Sequence, residues 1–569
     1  MNGADYIVEK LKSEGIETLF GYPGGCIMPL YDAMIGSGIQ HILCRHEQGA
    51  AFAANGFARS TGRTGVCLAT SGPGATNLIT GIADAYMDSI PMVVITGQVP
   101  TGLIGTDAFQ EIDILGMSLP VTKHSYLVER IEELPTILDE AFLLAREGRP
   151  GPVLIDLPKD IQLAPLPREI AEPSTPGPEE REPTSPSAAD TTQALELMAA
   201  SRKPLIYAGG GVTLAGATEQ FRDFTETTGI PTVLTLKGIG NLAGDHPLNL
   251  GMLGMHGSVA ANKAVQECDL LIAVGARFDD RVTGKLARFA PDAKVIHIDV
   301  DAAEIGKIRG VECAIRADLP ETLAAISTPL EIGNWREQCR RLHESEGFEA
   351  MNGQGSNGPA TFLKQLSRSA GKRAIVSCDV GQHQMWVAQH YPFSDPRNHL
   401  SSGGLGAMGF GLPAAIGASL ARSGDTVINI AGDGSFMMNM QELATLTRYG
   451  IPVKMIILDN SGLGMVRQQQ AVCYGNRQTE VDLSDNPDFV AVANAFGIQA
   501  ERLDDQGDAQ GAIDRLLSSK GPALLHVPIE SGENVWPMVK PGDANEEMIT
   551  NNTEKGQPHD TQYAHHRRQ

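Results

Sequence analysis

The chain has 569 residues, more than one hydrophobic core organises, and division at ~150 residues per domain gives three or four domains. Hydrophobic residues make up 42% and charged residues 20%, an ordinary globular balance, and 68 acidic against 45 basic residues leave a net charge of −23. That charge argues against electrostatic docking on nucleic acid or an anionic membrane, so an anionic ligand must be met by local cations, a metal or helix N-termini.

From the N-terminus, MNGADYIVEKLKSEG enters an amphipathic helix pattern directly, with neither a secretory apolar region nor a transit-type segment. No apolar run approaches the ~18 residues that span a bilayer, and a cytoplasmic, bacterial-type protein is expected. The cysteines are scattered without a CxxC pair, which suits reduced core thiols better than disulfides or zinc. Short β-branched runs recur at 92–97, 153–158, 204–209, 270–275, 294–299, 374–379, 426–432 and 453–460. Each ends in Gly, Asp, Asn or Pro and precedes a helical pattern. Continuous rather than alternating hydrophobicity predicts strands buried on both faces, hence parallel sheets in three doubly wound α/β domains. Ligands in such sheets gather beyond the carboxyl ends of the strands.

The expected domains are 1–164, 191–345 and 360–544. A Pro-, Glu- and Ser-rich linker at 165–190 and a non-periodic break at 346–359 separate them. Residues 545–569 read as a polar tail, and His565 and His566 belong to that tail rather than to a metal site.

The most specific chemical signal is Gly432-Asp433-Gly434-Ser435 after the run TVINIA, matched by Asp459-Asn460 at the end of VKMIILDN. Asp433 and Asn460 lie 27 positions apart, room for one strand–helix–strand crossover that brings two oxygen ligands to neighbouring strand ends. Mg²⁺ takes few protein oxygens and fills its octahedron with phosphate and water, while the glycines admit a diphosphate to the backbone. GDG alone is compatible with an ordinary tight turn; the complete spacing is far more selective. It resembles the diphosphate motif of the thiamine-diphosphate enzyme family. The resemblance implies Mg²⁺ on Asp433, Asn460 and the Gly462 carbonyl. It places the diphosphate among Gly432, Gly434, Ser435, Leu463, Gly464 and Met465, bordered by Val380, Gly381, Gln382 and His383. Gly404 and Met408 are expected to support the cofactor's bent shape.

A lone Glu opening a helix is normally a solvated capping residue. Arg45-His46-Glu47-Gln48-Gly49-Ala50-Ala51, however, is similar to the family segment whose Glu hydrogen-bonds the aminopyrimidine ring. Glu47 is thus expected in an apolar pocket against another subunit's cofactor, with its proton affinity raised. Gly25, Pro73 and Asn77 lie in loops resembling the other pyrimidine-side segments.

Within the family, residues 3 to about 548, the linker excluded, resemble the biosynthetic acetolactate synthases through 105–111, 157–160, 251–257 and 275–281. The resemblance implies decarboxylation of pyruvate and transfer of its two-carbon unit, carried on thiamine diphosphate, to pyruvate or 2-oxobutyrate. The products are 2-acetolactate or 2-aceto-2-hydroxybutyrate, in valine, leucine and isoleucine biosynthesis. Glu47, Gln110, Lys159 and Arg281 are its catalytic candidates. Phe109, Met255, Lys159, Arg281 and Gln469 are its substrate candidates, Arg281 because a guanidinium matches a carboxylate bidentately. It also implies a structural FAD on Arg149, Gly209, Gly210, Gly211, Thr235, Leu236, Met255, His256, Gly275, Ala276, Arg277, Asp279, Arg281, Asp299 and Asp318, with Lys237 adjoining Leu236. A homodimer or homotetramer is implied, with a possible small regulatory subunit. The other readings are a pyruvate oxidase, a decarboxylase or a catabolic acetolactate synthase on the same scaffold, or a silent regulatory paralogue. One departure stands out: most members carry Trp two residues after Arg467, where this chain has Gln469. Weak preference for 2-oxobutyrate over pyruvate follows, since one methylene is worth only ~1–3 kcal/mol even in a fitted pocket.

Overall fold

The structure, a computed structural model, describes residues 1–167, 184–351, 358–504 and 507–550. Most of the expected linker, much of the central break, and His565 and His566 lie outside the described residues. The apolar runs form buried parallel strands, as their lack of alternation demands. The first sheet contains β1 (Thr18–Gly21), β2 (Gln40–Leu43), β3 (Gly65–Ala69), β4 (Met92–Gln98), β5 (His124–Leu127) and β6 (Pro152–Pro158). The second contains β7 (Pro204–Ala208), β8 (Thr232–Leu234), β9 (Asn249–Met252), β10 (Leu270–Val274), β11 (Lys294–Ile298) and β12 (Cys313–Ile315). The third contains β13 (Ile375–Cys378), β14 (His399–Ser401), β15 (Val427–Gly432), β16 (Lys454–Asp459), β17 (Gln499–Arg502) and β18 (Ala523–Pro528).

The first and third sheets share one winding, β2-β1-β3-β4-β6-β5 and β14-β13-β15-β16-β18-β17. The second runs β9-β8-β7-β10-β11-β12, the order of dinucleotide-binding folds. Each winding reverses beside its first strand, between β1 and β3, β7 and β10, or β13 and β15. Helices leave opposite faces there and open a crevice at the strand ends. Gly21–Gly25 and Thr70–Pro73 follow β1 and β3; Gly209 and Gly275 follow β7 and β10. Asp379–Gln382 and Asp433 follow β13 and β15. The three candidate cofactor segments therefore occupy the three switch points.

The first and third domains also share a core. The helix Glu47–Thr61 is buried from Gly49 to Ser60 and packs on the helix Gly411–Ala421. Small residues make this approach possible: a Cβ on Gly417 would lie 1.9 Å from the Ala53 carbonyl oxygen, and one on Gly56 would lie 2.1 Å from that of Ala414. Buried charge then ties all three domains. Arg59 bonds Asp84 and Asp88 at 2.9 and 2.7 Å, while Asp88 accepts the amides of Gly403 and Gly404 at 3.0 and 2.7 Å. Lys237, from the middle domain, donates to the Ser401 carbonyl at 2.9 Å.

Two boundaries differ from expectation. The helix Ala188–Ala200 starts inside the expected linker, capped by Ser187 on the Asp190 amide. The expected tail is packed at its beginning: Asn545 donates to the Val282 carbonyl at 2.9 Å, and Ile549 pairs with Met538. Its polarity is spent locally, for Arg288 bonds both Glu546 and Glu547.

Candidate active site

Strand register aligns Gly432 with Leu458, so Asp433 and Asn460 leave adjacent strands one and two residues past a paired position. Both border a cavity of about 60 Å³ with Val380, Gly381, Gln382, His383, Met408, Gly432, Gly434, Ser435, Gly462, Leu463, Gly464 and Met465. Every residue expected at the diphosphate and metal, except Gly404, is brought together here. Gly404 lines the larger cavity described below, because Asp88 holds its amide.

The chemistry of this cavity fits a diphosphate and a hard divalent ion. Asp433 is buried, and burial, with Asp459 nearby, pushes its carboxyl up to about 7. A bound cation would reverse that shift. Asn460 commits its Nδ2 to Gln382 Oε1 at 3.0 Å, leaving the amide oxygen as its available ligand. No three His, Cys, Asp or Glu converge as a metal site among the described residues, in keeping with a site completed by Asn, a carbonyl and phosphate. His383 Nε2 is buried without a protein partner, and burial drives its pKa down to about 3; a neutral imidazole aimed at an oxyanion fits. Gly464 admits no side chain, since a Cβ would lie 2.1 Å from Gln382 Oε1 and 2.3 Å from Asn460 Nδ2.

Sequence reasoning missed two supporting groups. Asn486 donates to Asp433 Oδ2 at 3.1 Å. Gln468, buried, accepts from Gln382 Nε2 at 3.1 Å and donates to the Val535 carbonyl at 2.8 Å. Neither belongs to a motif that the sequence marks.

A second cavity, about 720 Å³, opens at the switch point of the middle sheet and takes in every residue expected at FAD, from Arg149 to Asp318. Its crowded floor requires glycine: a Cβ on Gly209 would sit 2.2 Å from the Gly275 oxygen, and Gly275 has φ +54°. Burial raises Asp299 to about 6 and lowers His256 to about 4. Arg149 already serves Glu304, Asp301 and Ser89 at 2.8, 3.2 and 2.8 Å, so it shapes the cavity through those partners. The same cavity includes Met255, Arg281, Met465 and Gln469. Met465 borders both cavities, so the candidate acceptor residues adjoin the diphosphate site.

The first domain supplies its own cluster. Asn77 donates to Glu47 Oε2 at 2.9 Å, and Gly74 lies against Glu47 Oε1, 3.3 Å from where its Cβ would be. Thr70 packs under Gly24 and bonds the Cys26 amide at 3.2 Å, beside Gly25, while Pro73 opens the helix Pro73–Asn77. Glu47 is half-buried in the single chain; the pocket expected around it needs another subunit. Glu47 borders neither cavity. Phe109 is 87% exposed, Gln110 sits at φ +61° on the same loop, and Lys159 opens the helix Lys159–Leu163. These three do not join Arg281, Met255 and Gln469 in one chain's cavity.

Among the described residues, no helix is long and apolar enough to cross a membrane.

Comparison with known proteins agrees with this three-part layout. Residues 1–117 match the N-terminal TPP binding domain of thiamine pyrophosphate enzymes, 191–326 their central domain, and 379–527 their C-terminal TPP binding domain. The chain is 54% identical to the acetolactate synthase isozyme 2 large subunit of Escherichia coli over 96% of its length and 99% of that protein. It is 47% identical to a probable acetolactate synthase large subunit of Methanocaldococcus jannaschii, covering 95% and 94%. It is 45% identical to the chloroplastic acetolactate synthase of Arabidopsis thaliana, covering 96% and 84%. The chain belongs to the thiamine pyrophosphate enzymes and, within them, to the acetolactate synthase large subunits.

Proposed function

We propose that the chain joins the two-carbon remainder of decarboxylated pyruvate to pyruvate or 2-oxobutyrate, forming the 2-acetohydroxyacids of branched-chain amino-acid biosynthesis. The observation that carries this reading is the shared wall of the two cavities, where Met465 borders the diphosphate site and Arg281, Met255 and Gln469 line the space beside it.

Thiamine diphosphate supplies, when bound, a thiazolium that accepts the electron pair left as CO₂ departs. Asp433, Asn460 and the Gly462 carbonyl would hold Mg²⁺, and His383 with Gly432–Ser435 would hold the diphosphate. Glu47 would hydrogen-bond the aminopyrimidine end. Arg281 orients the acceptor carboxylate through its fork of donors, while Lys159, Gln110 and Phe109 of another copy would close the approach and exclude water. Two pyruvates become one acetolactate and CO₂ with no electrons left over. FAD, which Gly209–Gly211 and Gly275 would cradle, is therefore left a structural role.

Glu47 and the Asp433 cavity stand apart within one chain, which supports a homodimer or homotetramer in which one copy's Glu47 serves another copy's diphosphate site. Relatives named "large subunit" support a small partner subunit as well. We place the activity in the cytoplasm, with small 2-oxoacids as ligands and neither nucleic acid nor membrane as partner.

Incubation with pyruvate, omitting thiamine diphosphate, Mg²⁺ and FAD in turn, tests the reading. Acetolactate that vanishes with each omission is expected. Acetaldehyde or acetate as the main product would overturn it in favour of a decarboxylase or oxidase.

A further inference from the structure

Glu442 is a fully buried carboxylate that has no place in the machinery above. It ends the 3₁₀ turn Met440–Glu442, which follows directly on the helix Asp433–Asn439 rising from the diphosphate loop. Its side chain leaves the third domain and enters the first. There Oε1 accepts the Arg45 amide at 2.8 Å, and the His46 amide also bonds the carboxylate. Oε2 accepts the Thr445 hydroxyl at 2.6 Å. The neighbouring residues grip the same stretch of chain. The Tyr449 hydroxyl accepts the Leu43 amide at 2.9 Å, the Thr445 hydroxyl approaches the Leu43 carbonyl at 3.3 Å, and Asn439 reaches Gln48 Oε1 at 3.4 Å.

A buried carboxylate is stable only when donors surround it. Here the donors are the two peptide groups immediately before Glu47, at the positive end of the helix Glu47–Thr61. The fit is close from the opposite side too. A Cβ on Gly49 would lie 2.5 Å from Glu442 Oε1, so residue 49 has no side chain where the carboxylate needs room.

We infer that Glu442 is a positioning residue for Glu47: by fixing the Arg45–His46 peptides it sets where the Glu47 side chain starts and the direction it leaves the helix. The inference rests on the proposed role of Glu47 at the aminopyrimidine ring. Two backbone bonds and one hydroxyl bond add to the support of Glu47, which is half-buried and whose own carboxylate is held by Asn77. Glu442→Gln keeps the volume but removes the charge: the amides on its oxygen lose their charge assistance, and its NH₂ turns the Thr445 hydroxyl from donor to acceptor.

Two readouts test this on the FAD-loaded full chain. The first is amide hydrogen exchange of residues 43–49 without thiamine diphosphate. Exchange there is expected to rise in Glu442→Gln and in Gly49→Ala, with the middle domain unchanged. The second is the rate at which bound thiamine diphosphate exchanges its C2 proton for deuterium, read by acid quench and NMR. It is expected to fall about ten- to a hundredfold in both variants, as for a reacting group displaced by about 1 Å, with Mg²⁺ affinity retained. Faster amide exchange with an unchanged C2 exchange rate would make Glu442 a mere clamp between domains and overturn the proposal. Unchanged readouts in both variants would do the same. Glu47→Gln serves as the reference: if it leaves C2 exchange intact, the role of Glu47 fails; if it abolishes exchange while Glu442→Gln does not slow it, only the positioning role fails.

Discussion

Asp433 shows how a single side chain commits a site to its ligand. Burial pushes its carboxyl up to about 7, and only a cation against it makes the charged form comfortable near neutral pH. The Asn486 amide holds Oδ2 and thereby aims the remaining carboxylate edge. Asn486→Ala is predicted to weaken Mg²⁺ binding by about 10- to 100-fold, the usual effect of removing a group that orients a ligand, with flavin content unchanged; titration of Mg²⁺ against thiamine diphosphate retention measures it. Gln469 lines the cavity where the resemblance to the family leads one to expect an indole. Gln469→Trp is predicted to raise the preference for 2-oxobutyrate over pyruvate by roughly ten- to two-hundredfold, read by competing the two acids at one enzyme concentration. An unchanged product ratio would remove Gln469 from the acceptor site. Asp433 and Asn460 stand out in the sequence because strand ends and a fixed spacing mark them, whereas Gln469 is singled out only by the resemblance to the family. Asn486 and Glu442 do not stand out, because their partners lie 53 and 397 positions away and nothing local distinguishes them from ordinary polar residues.

At the scale of elements, strands buried on both faces are legible to within a residue or so, as β4, β6, β10 and β16 illustrate. Segments whose polarity is spent internally are not, as residues 545–549 with Arg288 make plain. Buried polar groups also give the elements a pH dependence. Asp156 on β6 accepts from Thr96 and Gln98 at 2.8 and 2.9 Å, yet burial raises its pKa from 3.8 to about 7. Between those values the folded state holds a proton that the unfolded chain has released, so this group's stability contribution falls as pH rises from about 4 to 7. The loss is at most about 4 kcal/mol. The melting temperature of Asp156→Asn is predicted to fall less between pH 5 and pH 8 than that of the parent chain, and an identical fall would contradict the assignment. Close helix packing makes a second demand: Gly417→Ala places a methyl 1.9 Å from the Ala53 oxygen. Loss of about 1–3 kcal/mol is expected, as for other overpacked cores, seen as earlier thermal unfolding of the first and third domains.

For the whole molecule, the three switch points explain why one chain carries three cofactor segments, each at the place where its sheet's winding reverses. The sequence pattern reveals the parallel sheets, but strand order emerges only from long-range pairing. The separation of Glu47 from the Asp433 cavity is likewise a property of the assembled fold. The most direct test of the account is complementation. Glu47→Gln and Asp433→Asn copies, each inactive alone, are unfolded and refolded together, then assayed for acetolactate from pyruvate. If a complete site takes Glu47 from one copy and the Asp433 cavity from another, random pairing restores roughly a quarter of the parent activity. Mixed oligomers that form but stay inactive would contradict it.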